Sequence, residues 1–251
     1  MKYLVISDIH SKAGSLDLLP ADESLTCICL GDICAGDPLG SAIAIDWLMA
    51  REAICVLGSH DEPVIDDGAL ESYRSREKTL RREGRGNPDL FVKFYNDALR
   101  VRHGLNKVQI DFLSSLPDMQ TVKQGGKTIQ MVHNSLKTKG NKTGYRILNT
   151  DVARANFASP LFKCDILLVG HSHIPIAYRE YHGEVTETIF TESKKLILLD
   201  GRHILNPGSL QRLRSYVRHN PKTRVFEGDK RISYGILDLI ESTFEVKFLL
   251  K

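Results

Sequence analysis

The chain reads as an α/β protein in which two packed β-sheets form a sandwich flanked by helices. Two observations predict this. In the first sixty residues short apolar runs alternate with helical stretches, the pattern of βαβ units and a largely parallel sheet. After His173 the strand-like runs are short and separated by turn residues, which suggests a second sheet with few helices. A third observation gives the sandwich a purpose. Five apolar runs each stop at a glycine, histidine or aspartate that could face one cavity.

In order, Tyr3 to Ile6 is a buried strand that ends at Asp8 and His10. A short helical stretch around Ser15 to Leu19 leads to a second strand, Leu25 to Leu30, which runs into Gly31-Asp32. Ser41 to Met49 carries apolar residues at helical spacing, and a third strand, Ala53 to Leu57, runs into Gly58-Ser59-His60-Asp61. Asp66 to Arg102 reads as polar helix interrupted by Gly84, Gly86 and Pro88, and Val108 to Leu116 as an amphipathic helix stopped by Pro117. Thr121 to Val132 looks like a hairpin turning at Gln124-Gly125-Gly126-Lys127 and ends at His133. A polar loop, Ser135 to Asn149, and a short helix, Asp151 to Phe157, precede the strand Ile166 to Val169, which ends at Gly170-His171-Ser172-His173. The later strands are Ile174 to Tyr181, Leu196 to Leu199, Ile204-Leu205, Ile232 to Leu239 and Thr243 to Leu249. With no repeat and no low-complexity linker, one domain over 1–251 is expected, with a polar helical insertion at about 66–102.

Composition narrows the class. The 42% hydrophobic residues suffice for a large core, and the net charge of +3 is a small difference between 34 basic and 31 acidic residues. No polyanion affinity follows from it. No apolar run approaches the roughly 20 residues that span a bilayer, and the N-terminus has no secretory pattern, so a cytoplasmic protein with no membrane partner is expected. The five cysteines form no CxxC pair, and their number is odd. They read as core thiols rather than a zinc or disulfide framework.

Ligands in open α/β sheets bind at the C-terminal ends of strands. Collected there are Asp8, His10, Asp32, His133, His171 and His173, with Ser59, His60 and Asp61 close by. Carboxylate and imidazole without thiolate suit a borderline divalent ion rather than magnesium or calcium. Two aspartates and four histidines exceed what one ion takes, which points to two. A two-metal site clamps the attacking and leaving oxygens of an in-line displacement and makes hydroxide available near neutral pH. Phosphorus is its natural electrophile.

Asp8-x-His10, Gly31-Asp32, Gly58-Ser59-His60-Asp61, His133 and Gly170-His171-Ser172-His173, in this order, resemble the five blocks of the calcineurin-like metallophosphoesterases. Asn206-Pro207-Gly208-Ser209 resembles the C-terminal part of the compact bacterial and archaeal members. The resemblance covers nearly the whole chain outside Asp66 to Arg102. It implies the αββα fold of that family and a phosphodiesterase or phosphomonoesterase working by a metal-bound hydroxide. Asp8, His10 and His173 would hold one ion, His133 and His171 the other, and Asp32 would bridge them. His60, oriented by Asp61, would protonate the leaving oxygen or stabilise the phosphoryl group. Manganese is the first expectation for both ions, with iron, zinc, nickel or cobalt as alternatives. The family has asparagine where this chain has Ser59, so a weaker second site is expected.

Lys137, Lys139 and Arg146, in the loop after His133, and Arg214, after the Asn206 block, are candidates to bind substrate, since arginine suits bidentate phosphate contact. The substrate would be a small-molecule or nucleotide phosphate ester. No motif argues for sequence-specific nucleic-acid recognition, and nothing fixes the oligomeric state. The competing expectation is a catalytically weakened binding or scaffold protein on the same fold, suggested by Ser59. His182, His203, His219 and His103 lie outside the blocks and read as surface or core residues. Arg74 to Arg85 reads as a solvated helix with Glu77 and Arg81 paired.

Overall fold

The computed structural model describes residues 1–136, 146–220, 223–229 and 231–250, and the side chains of all of these outside 213–229. Fourteen strands and six α-helices are assigned among them. The first half runs β1 (Lys2–Ile6), a 3-10 turn (Ala13–Leu18), β2 (Thr26–Cys29), α1 (Pro38–Ala50), β3 (Ile54–Cys55), α2 (Glu62–Ile65), α3 (Asp67–Glu83), α4 (Pro88–Gly104), α5 (Lys107–Ser115), β4 (Met119–Gln124) and β5 (Lys127–Val132). The second half runs α6 (Thr150–Phe157), β6 (Ile166–Leu168), β7 (Pro175–Tyr181), β8 (Glu184–Ile189), β9 (Lys194–Ile197), β10 (Arg202–Pro207), β11 (Leu213–Asn220), β12 (Thr223–Asp229), β13 (Ile232–Asp238) and β14 (Thr243–Leu249).

Two mixed six-stranded sheets result, in the orders β3-β2-β1-β13-β14-β9 and β4-β5-β6-β10-β7-β8, with β11 and β12 a separate ribbon. The burial pattern of β1 explains the sandwich. Tyr3 and Val5 face the second sheet and share a core with Ile129, Met131, Ile166 and Leu168. Leu4 and Ile6 face outward and are covered by Ala44, Ile45 and Leu48 of α1 and Leu113 of α5. A strand buried on both faces must be apolar at every position, which is why this segment is a continuous run rather than an alternation. On the far side Ala153 and Phe157 of α6 cover Leu167 and Ile204 of the second sheet.

Helix ends follow local chemistry. Asp66, Asn87, Asn106 and Asn149 each accept a main-chain N–H at the start of α3, α4, α5 and α6, and Asn106 with Gln109 forms a full capping box. Gly84 closes α3 in the left-handed conformation. The expected break between two helices at Gly84 to Pro88 is where it falls, and Arg81 pairs with Glu77 on the exposed face of α3.

The strands after His173 do not form a sheet of their own. β13, β14 and β9 extend the first sheet, where β13 lies antiparallel to β1, while β7, β8 and β10 belong to the second. The first sheet is therefore parallel only across β1, β2 and β3. Strand pairing over some 230 residues leaves no trace in local alternation, so the assignment to sheets was beyond a pattern reading. The third strand is only two residues long, and β8 and the β11–β12 ribbon were not anticipated. All five cysteines are free and buried.

Candidate metal centre

The five anticipated strand ends converge. β1, β2 and β3 of the first sheet and β5 and β6 of the second deliver Asp8, His10, Asp32, Ser59, His133, His171 and His173 to one edge of the sandwich. Their donor atoms fall into groups that could each hold an ion: Asp8, His10 and His173; and Asp32, His133 and His171, with His10, Asp32 and His60 a third set linking them. His173 Nε2 lies 3.1 Å from Asp8 Oδ1 and 3.1 Å from His10 Nε2. In the other half His133 Nε2 lies 3.1 Å from Asp32 Oδ2 and 3.2 Å from His171 Nδ1. The same Asp32 Oδ2 stands 3.6 Å from His10 Nε2, so this one oxygen faces both halves.

The donor set fits divalent ions. Ligand bonds of about 2.0–2.2 Å with tetrahedral or octahedral angles put neighbouring donors about 3.0–3.5 Å apart. Asp8 Oδ1 is buried and has no hydrogen-bond partner, an orphaned acceptor of the kind that needs an explanation. The other oxygen is satisfied by Ser7 Oγ at 2.6 Å and the His171 N–H at 2.9 Å, which leaves Oδ1 for a cation.

Electrostatics point the same way. Burial pushes the Asp8 carboxyl up, but the charge on His173, with His10 close by, outweighs it and holds Asp8 well below the usual carboxylate range. Asp32 is likewise pulled down by His133 and His60 against its burial. Against the same desolvation, Asp32 lifts His133 to about 10. His171 is pushed down to about 3 by burial and by the charge on His133. Two buried anions thus attract positive charge to this edge of the sheets.

The backbone is strained to make this possible. Asp8, His10, Asp32, His171 and His173 all have positive φ, between 48° and 62°. Non-glycine residues there cost about 1–3 kcal/mol each and cluster at functional sites. Glycines next to them permit the crowding: a methyl on Gly58 would stand 1.9 Å from Asp32 N, and one on Gly170 2.0 Å from Ser7 Oγ.

Outside the donors, Ser59 Oγ points at Asp32 Oδ1 at 3.4 Å, and the His60 N–H donates to the same oxygen at 2.8 Å. The buried Asp61 carboxylate accepts the main-chain N–H groups of Ile33, Cys34 and Gly58. It fixes the loop that carries His60, and so acts on that residue through the main chain. His60 meets His10 edge-on and is itself met edge-on by Phe94 of α4, with centroids 4.9 and 5.3 Å apart. Burial shifts the His60 imidazole down.

Of the expected substrate cations, Arg146 lines a cavity beside His10, His60 and His173. Lys137 and Lys139 lie outside the described residues, as does the side chain of Arg214. The Asn206 block braces the site: Asn206 Nδ2 donates to Gly170 O and Ser172 Oγ, and Ser209 Oγ to Asp8 O. Phe94 and Tyr73, on the polar helical segment, were not singled out by sequence. Their only signal was aromatic residues at intervals in an otherwise charged helix.

A two-sheet sandwich with a carboxylate and imidazole cluster at its strand ends defines the class as metallophosphoesterase. The model of the calcineurin-like phosphoesterase superfamily domain matches residues 1–225, and this chain belongs to that superfamily. An uncharacterized protein of Methanocaldococcus jannaschii is 25% identical over 251 residues, covering 98% of this chain and 85% of its own length. The fold is similar to that of a metallophosphoesterase from Sphaerobacter thermophilus, with TM-score 0.69, 24% identity, and 99% of this chain and 88% of that one covered. A hypothetical protein from Pyrococcus horikoshii has TM-score 0.58 at 18% identity, with 99% and 87% covered.

Proposed function

We propose that this chain is a hydrolase of phosphate esters, a phosphodiesterase or phosphomonoesterase acting on a small-molecule or nucleotide ester at a two-metal site. The observation that carries the proposal is Asp32 Oδ2, one buried anionic oxygen facing a donor group on each side. Asp8, His10 and His173 would hold the first ion and His133 and His171 the second, with Asp32 shared between them; manganese is the first choice for both. Divalent ions in such a pair supply charge neutralisation for the phosphoryl oxygens and a water of lowered pKa.

The chain's own residues do the rest. The Leu30 carbonyl, 2.7 Å from His133 Nδ1, keeps the proton on that nitrogen and turns Nε2 to the cluster. Arg212 O does the same for His173 from 3.0 Å. Burial lowers the His60 pKa and so favours the neutral ring, whose imidazole N–H donates a hydrogen bond to the leaving or phosphoryl oxygen. Arg146, on the same cavity wall, offers a fork to the phosphoryl group.

The test is hydrolysis of a generic aryl phosphodiester by the purified chain, stripped by chelation and reloaded with manganese. Turnover that requires metal and falls by about 10²-fold or more in His60→Ala is expected. A fully loaded protein without turnover would make it a binding protein on the same fold. Retention of both carboxylates and all four imidazoles in one cluster favours the enzyme.

A further inference from the structure

Two cavities flank the candidate centre; α3 contributes to both, through Ser72 and Tyr73, and α4 to the smaller alone. The larger, of about 480 Å³, opens over His133 and His171. The smaller, of about 260 Å³, opens over His10 and His173. Consecutive residues fall on opposite sides of the divide: Ser59 and Ser72 line the larger cavity, His60 and Tyr73 the smaller. A phosphorus atom held between the two metal groups therefore has a compartment on either side. The smaller one lies below the roughly 300–1,000 Å³ of sites that take a whole ligand, so it suits one arm of an ester rather than a complete substrate.

The two compartments differ in chemistry. The larger is walled by Met119, Leu136 and Leu161, carries the carboxylates of Glu62 and Asp118, and has no phenyl, phenol or indole ring among its described lining. The smaller has Tyr73 and Phe94, half-buried with their centroids 5.6 Å apart, and Lys93, Asp97 and Arg146 as its charged lining. Phe94 in turn touches the His60 ring, so rings run without a break from His10 out to Tyr73. Burial and the charge of Asp32 raise the Tyr73 phenol, which keeps its proton and can donate.

Resting on the phosphoesterase reading above, we infer that the α3–α4 pair builds a subsite for a planar aromatic arm of the phosphoester, a nucleobase-bearing one, held against Tyr73 and Phe94. A flat heteroaromatic ring gains from stacking there whatever its identity, while Arg146 meets the attached phosphate. The compartment opposite, with its two carboxylates and no phenyl, phenol or indole ring among its described lining, receives the other substituent.

The test is isothermal titration of the manganese-loaded chain with adenosine 5′-monophosphate and with ribose 5-phosphate, which lacks the base. The nucleotide is expected to bind about tenfold or more tightly than the sugar phosphate, and Tyr73→Leu and Phe94→Leu to erase that difference while leaving ribose 5-phosphate binding unchanged. Val108→Ala, at an exposed position of α5 that lines neither cavity, should leave nucleotide binding unchanged. If either ester turns over, the same comparison is read from KM. Equal binding of the two esters by the wild-type chain overturns the subsite without the need of any variant. So does a preference that survives both ring substitutions or disappears with Val108→Ala. Failure of the phosphoesterase reading looks different, since it is absence of metal-dependent hydrolysis of the generic diester.

Discussion

The carboxylate of Asp61 accepts the main-chain N–H of Cys34 at 2.8 Å, across the turn from the strand that delivers Asp32. Its second oxygen accepts the N–H groups of Ile33 and Gly58. The residue beside His60, the proposed hydrogen-bond donor, is thus a clamp on two strand ends. Asp61→Ala would strand three buried N–H groups at about 1–3 kcal/mol each. A loss on the order of 3–5 kcal/mol is expected in urea unfolding of the metal-free chain, and a loss below about 1 kcal/mol would remove the clamp from the account.

The donors were legible because each sits within a few residues of an apolar run, and a strand needs no distant partner to be recognised. Leu4 and Ile6 announce β1, and Asp8 and His10 follow at once. What the run could not announce is its neighbour: β1 lies beside β13, whose residues are more than 220 positions away. Phe94 and Tyr73 were hidden for a related reason. On α3 and α4 they share their segments with Arg74, Glu77, Arg81 and Lys93, and a charged helix reads as a solvated one. Only the packing of one helix on the other turns their rings toward His60. The Asn206 block was recognised by resemblance alone, and its work, bracing Gly170 from β10 and Asp8 from the turn after it, is a long-range contact.

The Ser59 hydroxyl contributes a 3.4 Å contact to Asp32 where the family's asparagine is expected to bring an amide oxygen. A neutral hydroxyl on a shorter stem is a poorer donor to a cation. Calorimetric metal titration should resolve one tight and one weak site in this chain. Ser59→Asn should tighten the weak site by about tenfold or more, on the scale by which immediate neighbours of a metal site act, and leave the tight one unchanged. Two equally tight sites in the unaltered chain would sink this prediction.

His203, on β10, is 4% exposed and lies outside the metal centre. Burial, then the charge on Arg179, pushes its pKa down to about 4, against about 6.5 when unfolded. Folding therefore favours the neutral ring. Its contribution is complete above about pH 6.5 and is lost as the pH falls from there through 4. The sum is at most about 3 kcal/mol. The site histidines titrate in the same range, so the measurement is a difference: urea stability of the chelated chain against that of His203→Gln, from pH 7.5 to 4. The variant should show the shallower fall on acidification. Parallel profiles would mean that His203 takes up its proton equally in both states.

Gly58 and Gly31 bring two strand ends into contact. A methyl built on Gly58 lies 1.9 Å from Asp32 N and 2.5 Å from Asp32 Oδ1, and one on Gly31, at φ 87°, lies 2.7 Å from the Gly58 main chain. The nearest obstacles, Asp32 N and the Gly58 main chain, are backbone, which cannot swing aside as a side chain can. Gly58→Ala must push the Asp32 loop away from β3 and, with it, the one oxygen that faces both donor groups. The expected result is a loss of more than about 3 kcal/mol in stability, the range of overpacked and strained sites, together with loss of the second ion in equilibrium dialysis. Gly14→Ala is the control, because nothing stands within 4 Å of its added methyl, and it should change stability by less than about 0.5 kcal/mol. A Gly58→Ala protein as stable as the Gly14→Ala one, with both ions bound, would mean that the strand ends need not touch for Asp32 to serve both halves.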